Sequence, residues 1–201
     1  GNISAIKYQN YLQKMQLIPN KVKELLKSDE NVKAIYQEYK SNFDNPGNLS
    51  DFITSSFAKD SAYAAVFIPG GHGAMNGIPE NRNVAKTINW AHNNNLFTIT
   101  LCHGPGSLLS TTLDNQEFTY KGYKMAVFPD SVDAQSPMIG YLPGKMPWGL
   151  SNKLKGLGVL LANSKADSTV CRDRSLITGA SPLAADALGK LAVETLTSSH
   201  T

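Results

Sequence analysis

At 201 residues, 41% of them apolar and 17% charged, the chain is long enough to bury one sizeable core and too short to demand two domains. Its formal net charge of +3 comes from scattered Lys and Arg, with no basic stripe interleaved with aromatics, which argues against nucleic acid as a partner. No apolar run of roughly 18 residues suggests a membrane span, GNISAIKYQN lacks the basic and apolar regions of a secretory leader, and Cys102 and Cys171 in unrelated contexts make no disulfide framework, so the expectation is a cytoplasmic protein with reduced thiols and no membrane partner.

From 20 to 43, Val22, Leu25, Leu26, Val32, Ile35, Tyr36 and Tyr39 recur at steps of three and four, which predicts an amphipathic helix or a broken pair. The segment NPGNLS ends that pattern, and a short helical stretch follows at 49–57. YAAVFIPGG is a continuous apolar run closed by Pro-Gly-Gly, as expected of a strand buried on both faces. NVAKTINWAHNNN predicts a helix and LFTITLC a second buried strand. YKMAVFP and GVLLAN are a third and a fourth apolar run, separated by a Gly- and Pro-rich loop at 129–149 and a short helix near 150–157. SLITGAS predicts one more brief strand, and SPLAADALGKLAVETL a final helix with Ser181 as N-cap and Pro182 in its first turn. The expected organisation is a single domain over 1–201, with 1–57 as a helical lead-in and 58–201 as the sheet core. Alternation of this kind builds an α/β fold, a parallel sheet sandwiched between helices, in which ligands collect at the carboxyl ends of the strands.

Three polar, Gly-rich segments fall at such ends: PGGHG after the first run, CHGPG after the second and PDSVD after the third. A strand ending in Cys102 and followed by glycines and a helix has the form of a nucleophile elbow, with Gly104 and Gly106 permitting the tight backbone. A helix beginning near Pro105 would aim its positive dipole end at the sulfur and lower the thiol pKa. The competing reading is a buried structural cysteine. His103 adjoins Cys102 and needs an acid to orient it, which Asp130 or Asp133 can supply. Loop capping is the preferred role for Asp130, and both roles stay open for Asp133. GGHGAM lacks the spacing of a phosphate loop and suits an oxyanion site built from the Gly71 and His72 backbone N–H groups. As a metal ligand His72 is disfavoured, because no second His or carboxylate stands at a ligand-like spacing; no metal site and no cofactor are expected.

Read in order, AVFIPGGHGAMNGIPEN, LCHGPGSLL, FPDSVD, GYLPGKMPW and DRSLITGASPLAADALGKLA resemble the bacterial glyoxalase III and heat-shock chaperone group of the PfpI superfamily, also described as protein deglycases. The resemblance runs from about Ile6 to Leu196. It implies a flavodoxin-like α/β sandwich of the class I glutamine amidotransferase-like kind and a homodimer. It also implies a catalytic Cys102, His103 and Asp133 and a backbone oxyanion site at Gly71 and His72. Two departures stand out. The family begins with a further strand, helix and strand carrying a glutamate that bonds the nucleophilic cysteine, and this chain starts after that segment. The family's small metal site draws on the same segment plus a histidine that here is Tyr39. Without the first strands, the strand at 63–68 is expected to present an apolar edge, to be completed by a preceding segment or a second chain.

The resemblance implies glutathione-independent conversion of methylglyoxal to lactate, and protein deglycation with chaperone activity, weakened in this chain alone without the glutamate. The expected partners are a small dicarbonyl or a glycated or unfolded protein. The alternative is a shortened, non-catalytic relative acting as a holdase chaperone. An amidotransferase or peptidase of the same superfamily has less support, since neither a synthetase segment nor a substrate groove is visible.

Overall fold

The computed structural model describes residues 19–56, 63–138, 140 and 142–198. They divide into two compact units, residues 1–48 and 49–201.

In the first unit the periodic segment forms one unbroken helix, α1 (Pro19–Asp44). Its stripe of Val32, Ile35, Tyr36, Tyr39 and Phe43 is exposed, with the Tyr36 and Phe43 rings stacked at 5.7 Å. The helix ends where Ser41 carbonyl oxygen accepts from both the backbone and the side-chain amide of Asn45.

The second unit opens with α2 (Leu49–Ser56) and continues with β1 (Ala65–Ile68), α3 (Arg82–Asn93), β2 (Phe97–Leu101) and β3 (Lys124–Met125). Then come α4 (Asp130–Asp133), α5 (Leu150–Gly156), β4 (Leu160–Leu161), β5 (Val170–Asp173), β6 (Leu176–Gly179) and α6 (Ala185–Ser198). The main sheet has the order β1-β2-β6-β5, parallel between β1, β2 and β6, with β5 antiparallel at one edge. β3 and β4 form a separate parallel pair. This is the expected α/β class: a mainly parallel sheet with helices packed on its faces.

β2 shows why the centre of the sheet holds together. Thr98, Ile99 and Thr100 are all buried, so both faces of the strand are covered. Thr98 Oγ1 accepts from the buried Tyr120 hydroxyl at 2.9 Å, on the face where Ile88, Leu108, Met125, Leu150, Leu154 and Leu176 cluster. Ile99 lies in a second cluster with Ile177, Leu188 and Ala192 of the strand β6 and helix α6. Each fully buried aliphatic side chain contributes about 1.5–3 kcal/mol.

Two expectations change. Nothing in STVCRDRS predicts β5, because the segment is polar and ends in charges; it forms as the outer arm of a hairpin with β6, turned through Arg174 at φ +55°. The third and fourth apolar runs supply only two strand residues each. Beyond Met125 the pairing passes to a side chain: Asn163 Oδ1 accepts from Val127 N–H at 3.0 Å and its Nδ2 donates to Val127 carbonyl oxygen at 2.9 Å, copying a strand residue.

Helix starts follow the capping residues. Asn81 Oδ1 accepts from Asn83 and Val84 N–H before α3. Ser181 Oγ accepts from Leu183 N–H, after which a 3-10 turn, Pro182–Ala184, leads into α6. Among the described residues no helix is long and apolar enough to cross a membrane.

Candidate active site

The carboxyl ends of β1 and β2 and the start of α4 meet at Cys102. β2 ends at Leu101, and Cys102 adopts φ +60°, a left-handed conformation that is uncommon and strained for a residue with a Cβ. Its backbone is held on both sides: Cys102 N–H donates to Gly179 carbonyl oxygen at 2.8 Å, and its own carbonyl oxygen accepts from Phe128 N–H at 3.0 Å. Gly104 makes the turn possible, since a Cβ there would stand 2.6 Å from the Ile68 carbonyl oxygen. Gly106 has ordinary room for a Cβ, so only the first of the two expected glycines is sterically required. The chain leaves the turn as a 3-10 run, Gly104–Asn115, in place of the expected α-helix.

The turn brings neighbouring side chains together. His103, 1% exposed, places Nδ1 3.3 Å from Cys102 Sγ, and its Nε2 lies 2.8 Å from Asp133 Oδ2. An ionised carboxylate only accepts, so Nε2 carries a proton toward Asp133 while Nδ1 is turned to the sulfur. His103 is held between the rings of His72 and Phe128, with centroids 4.2 Å and 4.5 Å away.

Asp133 is buried. Burial alone would raise its carboxyl, but hydrogen bonds from His103 and His72 outweigh it and hold the group below the ordinary carboxylate value. Asp130 does what a capping residue does: Oδ1 accepts from Ser151 N–H at 2.8 Å and Oδ2 from Asn152 N–H at 2.9 Å, closing the start of α5. The two aspartates divide cleanly, with Asp133 alone bonding an imidazole among these contacts.

Burial pushes the Cys102 thiol up, against backbone N–H groups of Gly71 and His103 that pull it down; the nearby Asp133 charge adds to the rise. The expected lowering by a helix dipole is therefore not what dominates, because the sulfur lies at a sealed turn and not at an open helix end. With Nδ1 beside the sulfur, a proton can pass from Cys102 to His103 as a bond forms at carbon.

Gly71 can sit where it does because its φ is +94°. Its N–H and that of His103 reach the sulfur, while His72 enters the site through its side chain, Nε2 lying 2.9 Å from Asp133 Oδ1. Sequence spacing could not show this bond, which links residues 61 positions apart. It also brings His72, His103 and Asp133 atoms within 4.8 Å of one another, a grouping invisible in the linear spacing. In the structure the carboxylate already accepts from both imidazoles.

A cleft of about 280 Å³ opens beside Asp133, between Met146, Trp148 and Lys145 of the loop before α5. A larger one, about 460 Å³, runs between α3 and the 3-10 run and contains none of the site residues.

No family model matches the chain. Protein/nucleic acid deglycase HchA of Escherichia coli O7:K1 strain IAI39 is 44% identical over 172 residues, 86% of this chain and 60% of that protein. The chain is therefore similar to the protein/nucleic acid deglycases over most of its own length. It spans about 60% of the length of the curated deglycases it matches. Two solved structures share the fold of this chain. The Francisella tularensis Rapid Encystment Protein 24 KDa superposes with a TM-score of 0.59 at 22% identity, over 75% of this chain and 68% of that one. Glyoxalase III from Candida albicans gives 0.53 at 18% identity, over 66% and 56%.

Proposed function

We propose that the chain carries the cysteine site of a deglycase of the glyoxalase III type, acting on methylglyoxal and on the adducts this dicarbonyl forms with amines. The observation that carries the proposal is the continuous relay from Cys102 Sγ through His103 to Asp133, on a positive-φ turn with the Gly71 N–H beside the sulfur.

In the free-dicarbonyl reaction Cys102 sulfur bonds to the aldehyde carbon as its proton moves to His103, and the aldehyde oxygen takes the π electrons and then a proton, giving a hemithioacetal. Removal of the hydrogen on that carbon with a proton added to the ketone oxygen gives an enediol, and a proton added to the former ketone carbon with loss of the proton from the first hydroxyl gives a lactoyl thioester. Water then cleaves the thioester to lactate and free thiol, so the balance is methylglyoxal plus water to lactate. An amine adduct follows the same course once the amine leaves, restoring the amine.

Among the described residues no glutamate bonds the Cys102 sulfur, so the carbon-to-carbon proton transfer lacks the carboxylate that the family resemblance implies. This supports weak turnover by the 201 residues alone, lower by about 10² to 10⁴, the usual worth of a general acid–base group. The test is lactate formation from methylglyoxal by the purified chain and its Cys102→Ala form. Lactate that depends on Cys102 supports the proposal, and equal rates in both forms defeat it. A holdase remains the second reading, favoured by Phe67, 57% exposed on β1, and would show as client protection unaffected by Cys102→Ala.

A further inference from the structure

We infer that the His72 side chain is a positioning residue, which ties the Gly70–Gly71 turn after β1 to the carboxylate that orients His103. The inference rests on the proposed cysteine site and assigns within it a side chain whose backbone alone was expected to act.

Asp133 has two oxygens and uses each for a different imidazole: Oδ2 for His103 and Oδ1 for His72. Both rings must carry the proton on Nε2, so one carboxylate sets the tautomer of both. The consequences differ for the two histidines. His103 turns its other nitrogen to the sulfur. His72 is the residue after Gly71, whose N–H draws the thiol down, in a turn packed so closely on Cys102 that a Cβ on Gly70 would lie 2.7 Å from Cys102 Cβ, and Gly71 is held at φ +94° with open space where a Cβ would be. A glycine with open space at that position has many conformations available to it; the Ala74 N–H, donating to its carbonyl oxygen at 3.0 Å, restrains one side and a fixed His72 restrains the other. The 2.9 Å bond to a buried, ionised carboxylate is such an anchor, since charge-assisted bonds of this kind are about twice as strong as neutral ones. The 4.2 Å stacking of the His72 ring on His103 adds a second hold. The thiol, the imidazole and the N–H donor are thus kept in mutual register by one carboxylate.

A merely structural histidine would predict lower stability and nothing else. Positioning predicts a change in the sulfur's own titration. The experiment measures the pH profile of Cys102 alkylation by iodoacetamide in the full chain, read by peptide mapping with Cys171 in the same sample as control. His72→Ala and His72→Asn, which cannot reach Asp133 Oδ1, are expected to move the Cys102 midpoint up by about half a pH unit, through loss of the Gly71 N–H. His72→Gln, whose amide reaches as far as Nε2, is expected to restore most of the shift, and the Cys171 profile to stay put. Where methylglyoxal turnover is measurable, kcat is expected to fall about tenfold or more in His72→Asn with KM within about threefold. An unchanged midpoint in His72→Asn, or a His72→Gln no better than Asn, overturns the inference, and the Gln–Asn comparison serves even if the Ala variant does not fold. Absence of turnover in the parent chain counts against the proposed reaction and leaves the alkylation test intact.

Discussion

His103 Nδ1 lies 3.3 Å from Cys102 Sγ although the two residues are consecutive. In an extended strand consecutive side chains point to opposite faces, so this contact needs the break in backbone direction that Cys102 provides at φ +60°. The same break leaves the sulfur beside the Gly71 N–H and nearly sealed from solvent. Geometry favours reaction and burial favours the protonated thiol, and the pH behaviour of the site comes from that opposition.

Cys102 alkylation should keep rising with pH past about 8.5, the ordinary thiol value, because burial pushes this group up. Cys171, half-buried on β5 and also raised by burial, turns its Sγ to the Lys124 carbonyl oxygen and not to an imidazole, and should label through accessibility alone. Peptide mapping after limiting iodoacetamide should show Cys102 as the more reactive of the two thiols. A Cys102 rate already flat by about pH 7 would contradict the upward push of burial on this thiol.

Asp133→Asn removes the charge and turns one of the two acceptor oxygens into an NH2 donor, so it can hold only one of the two imidazole tautomers and should cost about 10² or more in turnover. It also carries a pH signature. The carboxyl is lower in the folded state than in the unfolded chain, so its contribution is fully present above the unfolded value of about 3.9 and disappears as pH falls through the folded value. Melting temperatures recorded from about pH 6 to pH 3 should therefore converge for the two forms at the acid end. Parallel curves would show that the carboxylate contributes nothing through its charge.

Asp130→Ala should separate the two aspartates. It leaves the Ser151 and Asn152 N–H groups at the start of α5 without their acceptor and should destabilise the fold by about 0.5–2 kcal/mol, with the Cys102 alkylation profile unchanged. A shifted profile would mean that Asp130 also acts on the sulfur.

The strand ends and the turn at Cys102 are legible in the sequence because apolar runs closing in Gly-rich segments leave few alternatives, and LFTITLCHGPG shows this most clearly. Asp130 is legible as a cap for the same local reason. The His72–Asp133 bond is not, since it joins β1's turn to α4 across 61 residues and depends on a ring rotamer. Nor is β5, where Arg172 points outward, its guanidinium 5.5 Å from the Phe97 ring, and only the pairing with β6 selects a strand. At Asn163 a side-chain amide does the work of a backbone unit, which no hydrophobic pattern encodes.

β1 pairs with β2 on one side and with no other described strand, and Phe67 stands 57% exposed along it. An edge in a parallel sheet offers a row of unmatched N–H and C=O groups, and an apolar side chain on it adds a reason to recruit another strand. The 201 residues on their own are therefore expected to self-associate through this edge. Sedimentation velocity over a hundredfold range of concentration should show the weight-average mass rising. Phe67→Lys, which puts a charge where a neighbouring strand must dock, should reduce that rise about tenfold or more in apparent affinity while leaving the melting temperature within a few degrees. The remaining segment of a longer protein that closed the same edge should suppress association in the same way. A chain that stays monomeric throughout, with or without the lysine, would mean the β1 edge is already protected.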